Sequence, residues 1–308
     1  MKTKLFLIFT VLVSLLYVFT AGACKSDEYH GLVPKAKLGT VDYDITYAAI
    51  DGTALLMDIH YPKTAEGAVP TVIYVHGGGW TSGDKESGAG TQFIPELVSR
   101  GYLVACINYR LAPEHKVIDQ IGDVKCAVRY LRAEASKYGI DTRYIGAIGG
   151  SAGGHLVSLL GTSDISANLE GNGGYSEESS RVQAVVDLFG PADLSVMFES
   201  VSRLWLYSVF GTSDPNSNDI IRLSPVTYVS SDDPPFLILH GDQDILVPLE
   251  QSEIIYNKLQ AANVPASLVV VKNAGHGFRP VPSNAAISPS EQEMTLLIAD
   301  FFDSCLKK

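Results

Sequence analysis

The stretch Tyr144-Ile145-Gly146-Ala147-Ile148-Gly149-Gly150-Ser151-Ala152-Gly153-Gly154-His155-Leu156-Val157 decides how this chain is read. Its first five residues form a short apolar run suited to a buried strand, and the residues from Gly154 onward open a helix. A serine set among small residues at such a junction occupies a turn too tight for larger neighbours, and its Oγ projects from the end of the sheet. An ordinary helix cap would need no glycines on either side of Ser151. Glycine makes up 28 of the 308 residues, so a chance G-x-S-x-G is unremarkable, and the weight comes from its surroundings.

Those surroundings alternate. Val41–Tyr47 and Ala54–Tyr61 flank Asp51-Gly52, a strong hairpin signal. Thereafter the spacing predicts strand Thr71–His76, helix Gln92–Arg100, strand Tyr102–Tyr109 and helix Val117–Tyr138. Beyond the serine come strand Val182–Phe189, strand Pro235–His240, helix Leu249–Ala261, strand Ser267–Val271 and helix Glu291–Leu306. Unbroken apolar strands such as Val72-Ile73-Tyr74-Val75 suit a sheet covered on both faces. The expected fold is α/β: a mostly parallel, doubly wound sheet with an antiparallel N-terminal edge. Asn168–Ser180, rich in Gly, Ser and Glu, reads as a surface loop. Residues 193–233 carry Met197, Phe198, Leu204, Trp205, Tyr207 and Phe210, and they read as a small cap across the catalytic edge or as ordinary core.

Acyl transfer by a serine needs a nucleophile, a base, an orienting acid and donors for the oxyanion. Ser151 is the candidate nucleophile. The base must come from a loop beyond the last strand, where His276 sits among Asn273-Ala274-Gly275 and Gly277-Phe278. His155 lies one turn into the serine's own helix and points away from Oγ, His240 ends a strand, and His76 opens a glycine turn. His30, His60 and His115 have no motif around them. The acid follows the penultimate strand, in His240-Gly241-Asp242-Gln243-Asp244; the later carboxylate, Asp244, can reach across to the histidine, with Asp242 stabilising the turn. Backbone N–H groups of Gly78, Gly79 and Ala152 are the candidate oxyanion hole, since the backbone must approach the substrate oxygen without a Cβ in the way. The glycine triplet lacks a following G-K-[ST], which disfavours a nucleotide site.

The termini and composition bound the rest. Lys2 and Lys4 precede the apolar run Leu5–Phe19, and Ala21-Gly22-Ala23 leads into Cys24. This pattern reads as a cleaved export signal over residues 1–23, the apolar run being shorter than the about 20 residues that span a bilayer. Ala21-Gly22-Ala23-Cys24 is similar to a bacterial lipobox with Cys24 as the lipidated residue; ordinary cleavage after Ala23 is the alternative. Residues 24–40 read as a polar tether and 41–308 as one domain. The net charge is −11, or −13 without Lys2 and Lys4, and no basic cluster exceeds a pair, so nucleic acid is not an expected partner. Cys106, Cys126 and Cys305 are too scattered for a disulfide framework or a zinc site, and no metal is expected.

With these residues in place the chain resembles the alpha/beta-hydrolase fold family, in the branch of hormone-sensitive-lipase-like carboxylesterases and bacterial feruloyl- and acetyl-esterase-like enzymes. The resemblance is carried by His76-Gly77-Gly78-Gly79-Trp80, Asn108-Tyr109-Arg110-Leu111-Ala112-Pro113-Glu114 and Gly149–His155, and Asp58–Pro62 and His240–Asp244 extend it. It implies carboxylester hydrolysis without a cofactor, a small-molecule ester as partner, and Ser151, Asp244 and His276 as the triad. The cap is shorter than in lipase-like members, which favours short acyl groups, and Trp80, Phe278 and Trp205 are then the expected pocket walls. An arylformamidase, a peptidase of the same fold and a non-catalytic ligand-binding protein are the competing expectations. The leader argues against the first, the absence of a large gating domain against the second, and the presence of both Ser151 and His276 against the third.

Overall fold

The computed structural model describes residues 31–198 and 202–307. The leader and Cys24 lie outside the described residues. Eight strands form one sheet: β1 (Val41–Ile50), β2 (Thr53–His60), β3 (Val69–Val75), β4 (Leu103–Ile107), β5 (Ile140–Gly150), β6 (Ala184–Leu188), β7 (Phe236–Gly241) and β8 (Ala266–Val271). Their order is β1-β2-β4-β3-β5-β6-β7-β8. The β1–β2 and β2–β4 pairs are antiparallel and every later pair is parallel. Asp51 and Gly52 both take positive φ, 51° and 81°, as a two-residue turn matched to strand twist requires.

Side chains alternate between the two faces of the sheet. Ile73 and Val75 of β3 point into a core shared with α2 (Val117–Ala133), α4 (Ala152–Thr162) and α8 (Glu250–Ala261). Val72 and Tyr74 point into the opposite core, closed by α1 (Ile94–Ser99) and α9 (Glu291–Leu306). Helices therefore cover both faces, and the continuous apolar strands are explained by burial on each side.

Two differences from the sequence expectation concern breaks and anchors. The helix expected over 117–138 stops at Ala133, because Glu134 leaves helical geometry, and a short α3 (Ala135–Tyr138) ends on left-handed Gly139. The tether expected over 24–40 is docked in its second half. Val33 is only 5% exposed within the core, Gly31 lies against the Ser136 carbonyl, and Gly39 N–H donates to Pro62 O. Single apolar residues, Val33 and Leu38, anchor an otherwise polar segment.

Between β6 and β7 lie α5 (Leu194–Met197), α6 (Arg203–Phe210) and α7 (Asn218–Arg222). The buried and exposed apolar residues of this segment lie on opposite sides of α6. Leu206, Val209 and Phe210 are buried with Phe198, whereas Leu204 and Tyr207 are 84% and 60% exposed. Gln251 Oε1 fixes the entrance by accepting from the N–H groups of Ala192 and Asp193. Asn168–Ser180 is free of helix and strand but pinned, since buried Lys125 donates to Glu170, Ser180 and the Ser163 carbonyl.

Candidate active site

β5 delivers Ser151 and α4 carries the chain away from it. Ser151 holds φ 58° and ψ −121°, a sparsely populated conformation for a residue with a Cβ. The turn closes only because its neighbours are glycines: a Cβ on Gly149 would stand 2.5 Å from Gly153 O, and one on Gly153 would stand 2.1 Å from Val75 O. Ser151 N–H is anchored to Leu188 O at 2.9 Å, which ties the turn to the end of β6.

Ser151 Oγ lies 3.0 Å from His276 Nε2, and His276 Nδ1 lies 2.7 Å from Asp244 Oδ2. The carboxylate accepts from Nδ1–H, which leaves Nε2 as the acceptor for the serine hydroxyl. His276 follows β8 in a short 3₁₀ turn, His276–Phe278. Burial alone would raise the Asp244 carboxyl, but contacts from His240 and His276 and the N–H of Val247 outweigh it and hold the group well below the usual carboxylate range.

One assignment in the acid loop is corrected. Asp242 was expected to stabilise the turn, yet Asp244 does this as well as meeting the histidine. Its Oδ1 accepts from Leu246 N–H at 2.9 Å and Val247 N–H at 3.0 Å while Oδ2 faces His276. Asp242 instead lies 3.5 Å from Lys272 Nζ, and its buried Oδ1 has no hydrogen-bond partner. The loop curls around the later carboxylate because both of those amides converge on one oxygen.

The glycine turn abuts the serine directly. A Cβ on Gly77 would stand 2.7 Å from Gly150 O and 3.3 Å from Ser151 Cβ. Gly78 and Gly79 follow with φ of 119° and 60°, and the Gly78 carbonyl is turned away to accept from Thr81 N–H and Ser82 N–H. Ala152 is the first residue of α4, where amides lack an intrahelical acceptor. Gly77 thus sets the start of the glycine turn against Ser151, and Ala152 adjoins it in the chain.

Three other histidines, His76, His155 and His240, have structural partners. His76 Nδ1 meets Gly77 O at 2.7 Å and its ring stacks on Tyr109. His240 lies between Ser252 Oγ at 2.6 Å and Val247 O at 2.9 Å, buried beneath the acid loop. His155 lies between Trp80 and Leu223.

The expected pocket walls separate into different roles. Trp80 is 3% exposed and supports the cap, with Phe198, Trp205 and Phe210 packed around it at ring separations of 6.1, 6.2 and 5.2 Å. Phe278 is buried against Phe189 at 4.9 Å, and Trp205 is half-buried. Trp80 and Phe278 are both buried against aromatic neighbours distant in sequence. Phe189 was not foreseen. It lies one residue beyond β6, on the edge where Ser151 emerges, and its strand-terminal position was the available signal.

A groove of about 1030 Å³ at the 164–181 loop contains none of Ser151, Asp244 and His276, and its Arg129 and Glu170 are already paired with each other. Among the described residues no group of three or more His, Cys, Asp or Glu is placed to hold a metal ion, and no helix is long and apolar enough to cross a membrane. Cys106 and Cys126 are buried free thiols, and Cys305 is half-buried.

Comparison with known proteins bears on the fold and the family. The BD-FAE family model matches residues 57–259, and a dienelactone hydrolase family model matches residues 221–304. A probable carboxylic ester hydrolase, LipM, of Mycobacterium tuberculosis is 33% identical over 77% of this chain and 56% of its own length. The chain spans little more than half the length of the curated relatives it matches. Among solved structures, a truncated carbohydrate esterase from gut microbiota superposes with a TM-score of 0.74 at 30% identity, over 90% of this chain and 99% of that one. The esterase Est2 of Thermogutta terrifontis, with propionate bound, superposes with a TM-score of 0.70 at 26% identity, over 86% and 93% of the two chains. With its eight-stranded, mostly parallel sheet and Ser151 on a strained turn between β5 and α4, the chain belongs to the BD-FAE family, within the alpha/beta-hydrolase carboxylesterases.

Proposed function

We propose that this protein is an exported serine carboxylesterase that hydrolyses short-chain acyl esters, acetyl or feruloyl decorations of carbohydrates among them. The observation that carries the reading is the continuous hydrogen-bonded line from Ser151 through His276 to Asp244 beside a glycine turn.

In this reading Ser151 Oγ attacks the ester carbonyl as its proton passes to His276 Nε2. Asp244 holds the imidazole in the tautomer that leaves Nε2 free to accept, and it stabilises the imidazolium that results. The carbonyl oxygen, now an oxyanion, accepts from the backbone N–H groups of Gly78, Gly79 and Ala152, each worth roughly 3 kcal/mol at the transition state. Collapse of the tetrahedral species expels the alcohol, which takes the proton from His276 and leaves an acyl-serine. Water then attacks the acyl-serine with His276 as base, releasing the carboxylic acid and regenerating Ser151.

Short acyl groups are favoured by a cap built from three helices of four, eight and five residues. The propionate-bound Est2 relative supports the same reading, and the carbohydrate esterase from gut microbiota supports a sugar-ester substrate. The export part rests on the leader of residues 1–23, with Cys24 as the lipid attachment point. A panel of p-nitrophenyl esters of increasing chain length, run beside acetylated and feruloylated sugars, tests the substrate. Turnover should peak between acetyl and butyryl and fall by about octanoyl, each methylene adding at most about 1–3 kcal/mol of discrimination. Preference for emulsified long-chain triglycerides would overturn it. Detergent partitioning of wild type and C24S tests the address: wild type in the aqueous phase with an unmodified N-terminus would rule out the lipid.

A further inference from the structure

Trp80 directly follows the Gly77–Gly79 turn and holds a φ of 62°, a rare conformation for a bulky side chain. A residue stays there only where its surroundings over-determine it. The Trp80 carbonyl accepts from Ala112 N–H at 2.9 Å and from Gln120 Nε2 at 2.8 Å. The indole Nε1–H donates to His155 Nδ1 at 3.2 Å, across 75 residues of sequence.

The chemistry of these partners fixes the histidine. Indole nitrogen is a donor only, so His155 Nδ1 carries no proton. Leu223 O lies 2.8 Å from Nε2 and is an acceptor only, so Nε2 carries the proton. Both partners select the same neutral tautomer. The imidazole is fully buried and stands edge-on to the indole, with ring centroids 5.3 Å apart.

We propose that His155 is a positioning residue for the hydrolysis, a role that rests on the function proposed above. From the first turn of the serine's own helix it holds Trp80 in its left-handed conformation, and so fixes the Gly78 and Gly79 amides relative to Ser151. Through Leu223 the same ring ties the segment leading out of the cap to that helix. His155 touches no reacting atom and acts through Trp80. Without the bond Trp80 relaxes, the Gly79–Trp80 peptide rotates, and the neighbouring amides leave the place where the oxyanion forms. Charge develops on that oxygen only in the transition state, so the loss falls on kcat rather than on KM.

A double-mutant cycle on the full-length protein tests this. H155F and W80F each keep a ring in place and delete one side of the bond. Each single variant should lower kcat for p-nitrophenyl acetate about ten- to hundredfold, with KM within about threefold of wild type. The double variant should be no worse than the more damaging single, because both remove one interaction. Nitrogen-15 spectra should show the wild-type His155 ring as the neutral Nε2–H tautomer, with an indole resonance of Trp80 that shifts in H155F. Additive losses in the cycle, or an unchanged kcat in folded H155F, overturn the proposal. Should H155F fail to fold, W80F decides alone: a fall in kcat at constant KM, with loss of the fixed His155 tautomer, supports the role, and an unchanged kcat overturns it. If the wild type hydrolyses no ester, the functional reading fails by itself. The spectra and the hydrogen exchange of the Gly79 amide in the variants then decide the positioning role, unchanged exchange counting against it.

Discussion

Phe189 meets the ring of His276 edge-on, with 4.8 Å between ring centroids, and it does so from a left-handed backbone position, φ 45°. The turn that holds it is secured from below: Phe189 N–H donates to Leu239 O, and Gly190 N–H donates to Asp187 Oδ1 at 2.8 Å. Phe278 packs on the other side of Phe189 at 4.9 Å. The imidazole is therefore held by the Phe189 ring and by Asp244 at Nδ1, with Ser151 Oγ at Nε2.

Replacing Ser151 by alanine should abolish ester hydrolysis, with a loss of about 10⁶-fold in turnover. The thermal midpoint should stay within a few degrees of wild type, since a single oxygen at the sheet edge is removed. Purified S151A with near-normal turnover would refute the nucleophile.

Asp244→Asn and Asp242→Asn should separate sharply. D244N should cost about 10⁴-fold in turnover by favouring the wrong histidine tautomer. Asp242 is mostly buried, but its ion-pair partner Lys272, at 3.5 Å, is exposed and Asp242 Oδ1 has no partner to lose, so D242N should change stability by at most about 1 kcal/mol. Turnover assays and urea melts of both proteins check this, and a reversal of the two outcomes would reassign the acid.

Gly154→Ala should destabilise the fold by about 3 kcal/mol, through overpacking rather than lost flexibility. The added Cβ would stand 2.5 Å from Asp187 Oδ1 and 2.9 Å from Gly190 Cα. Asp187 cannot retreat easily, being buried and engaged by Ser158 Oγ and Gly190 N–H. An unchanged urea midpoint would show that α4 can lift away from β6 at little cost.

Acid should weaken the fold through His155. Burial pushes its pKa down to about 4, so the unfolded chain takes up the proton first as pH falls. The neutral ring's contribution is complete above about pH 6.5 and is lost progressively between about 6.5 and 4, reaching about 3 kcal/mol. Urea melts across that window should show a shallower pH slope in H155F than in wild type. Equal slopes would mean that His155 does not titrate differently on unfolding.

What the sequence disclosed was what is local. Apolar runs at strand length, the Asp51-Gly52 turn and the alternation of strand with helix specify the doubly wound sheet through neighbours a few residues apart. Ser151 and His276 stand out because they sit among small residues past strands, and Asp244 because it follows the penultimate strand; the structure brings the three within hydrogen-bond distance. What stayed hidden depends on distant partners. The indole of Trp80 finds His155 75 residues away, and His155 finds Leu223 68 residues further on. Val33 looks incidental in a polar segment until Gly139 lies against it. The division of work between Asp242 and Asp244 turned on the curl of one loop, which no spacing rule could supply.

The docking of Val33 beside Gly139 also sets where the described chain begins. Gly139 immediately precedes β5, at the end where Val69 of β3 pairs with Ile140, whereas Ser151 emerges at the end where Val75 pairs with Gly149. The two ends are separated by the length of β3, about 20 Å at about 3.3 Å per residue. The described chain thus begins, at Gly31, by the pole opposite Ser151. An attachment N-terminal to Gly31, of the kind proposed above, would reach the domain at that pole and leave the Ser151 end open to bulky polymeric ligands.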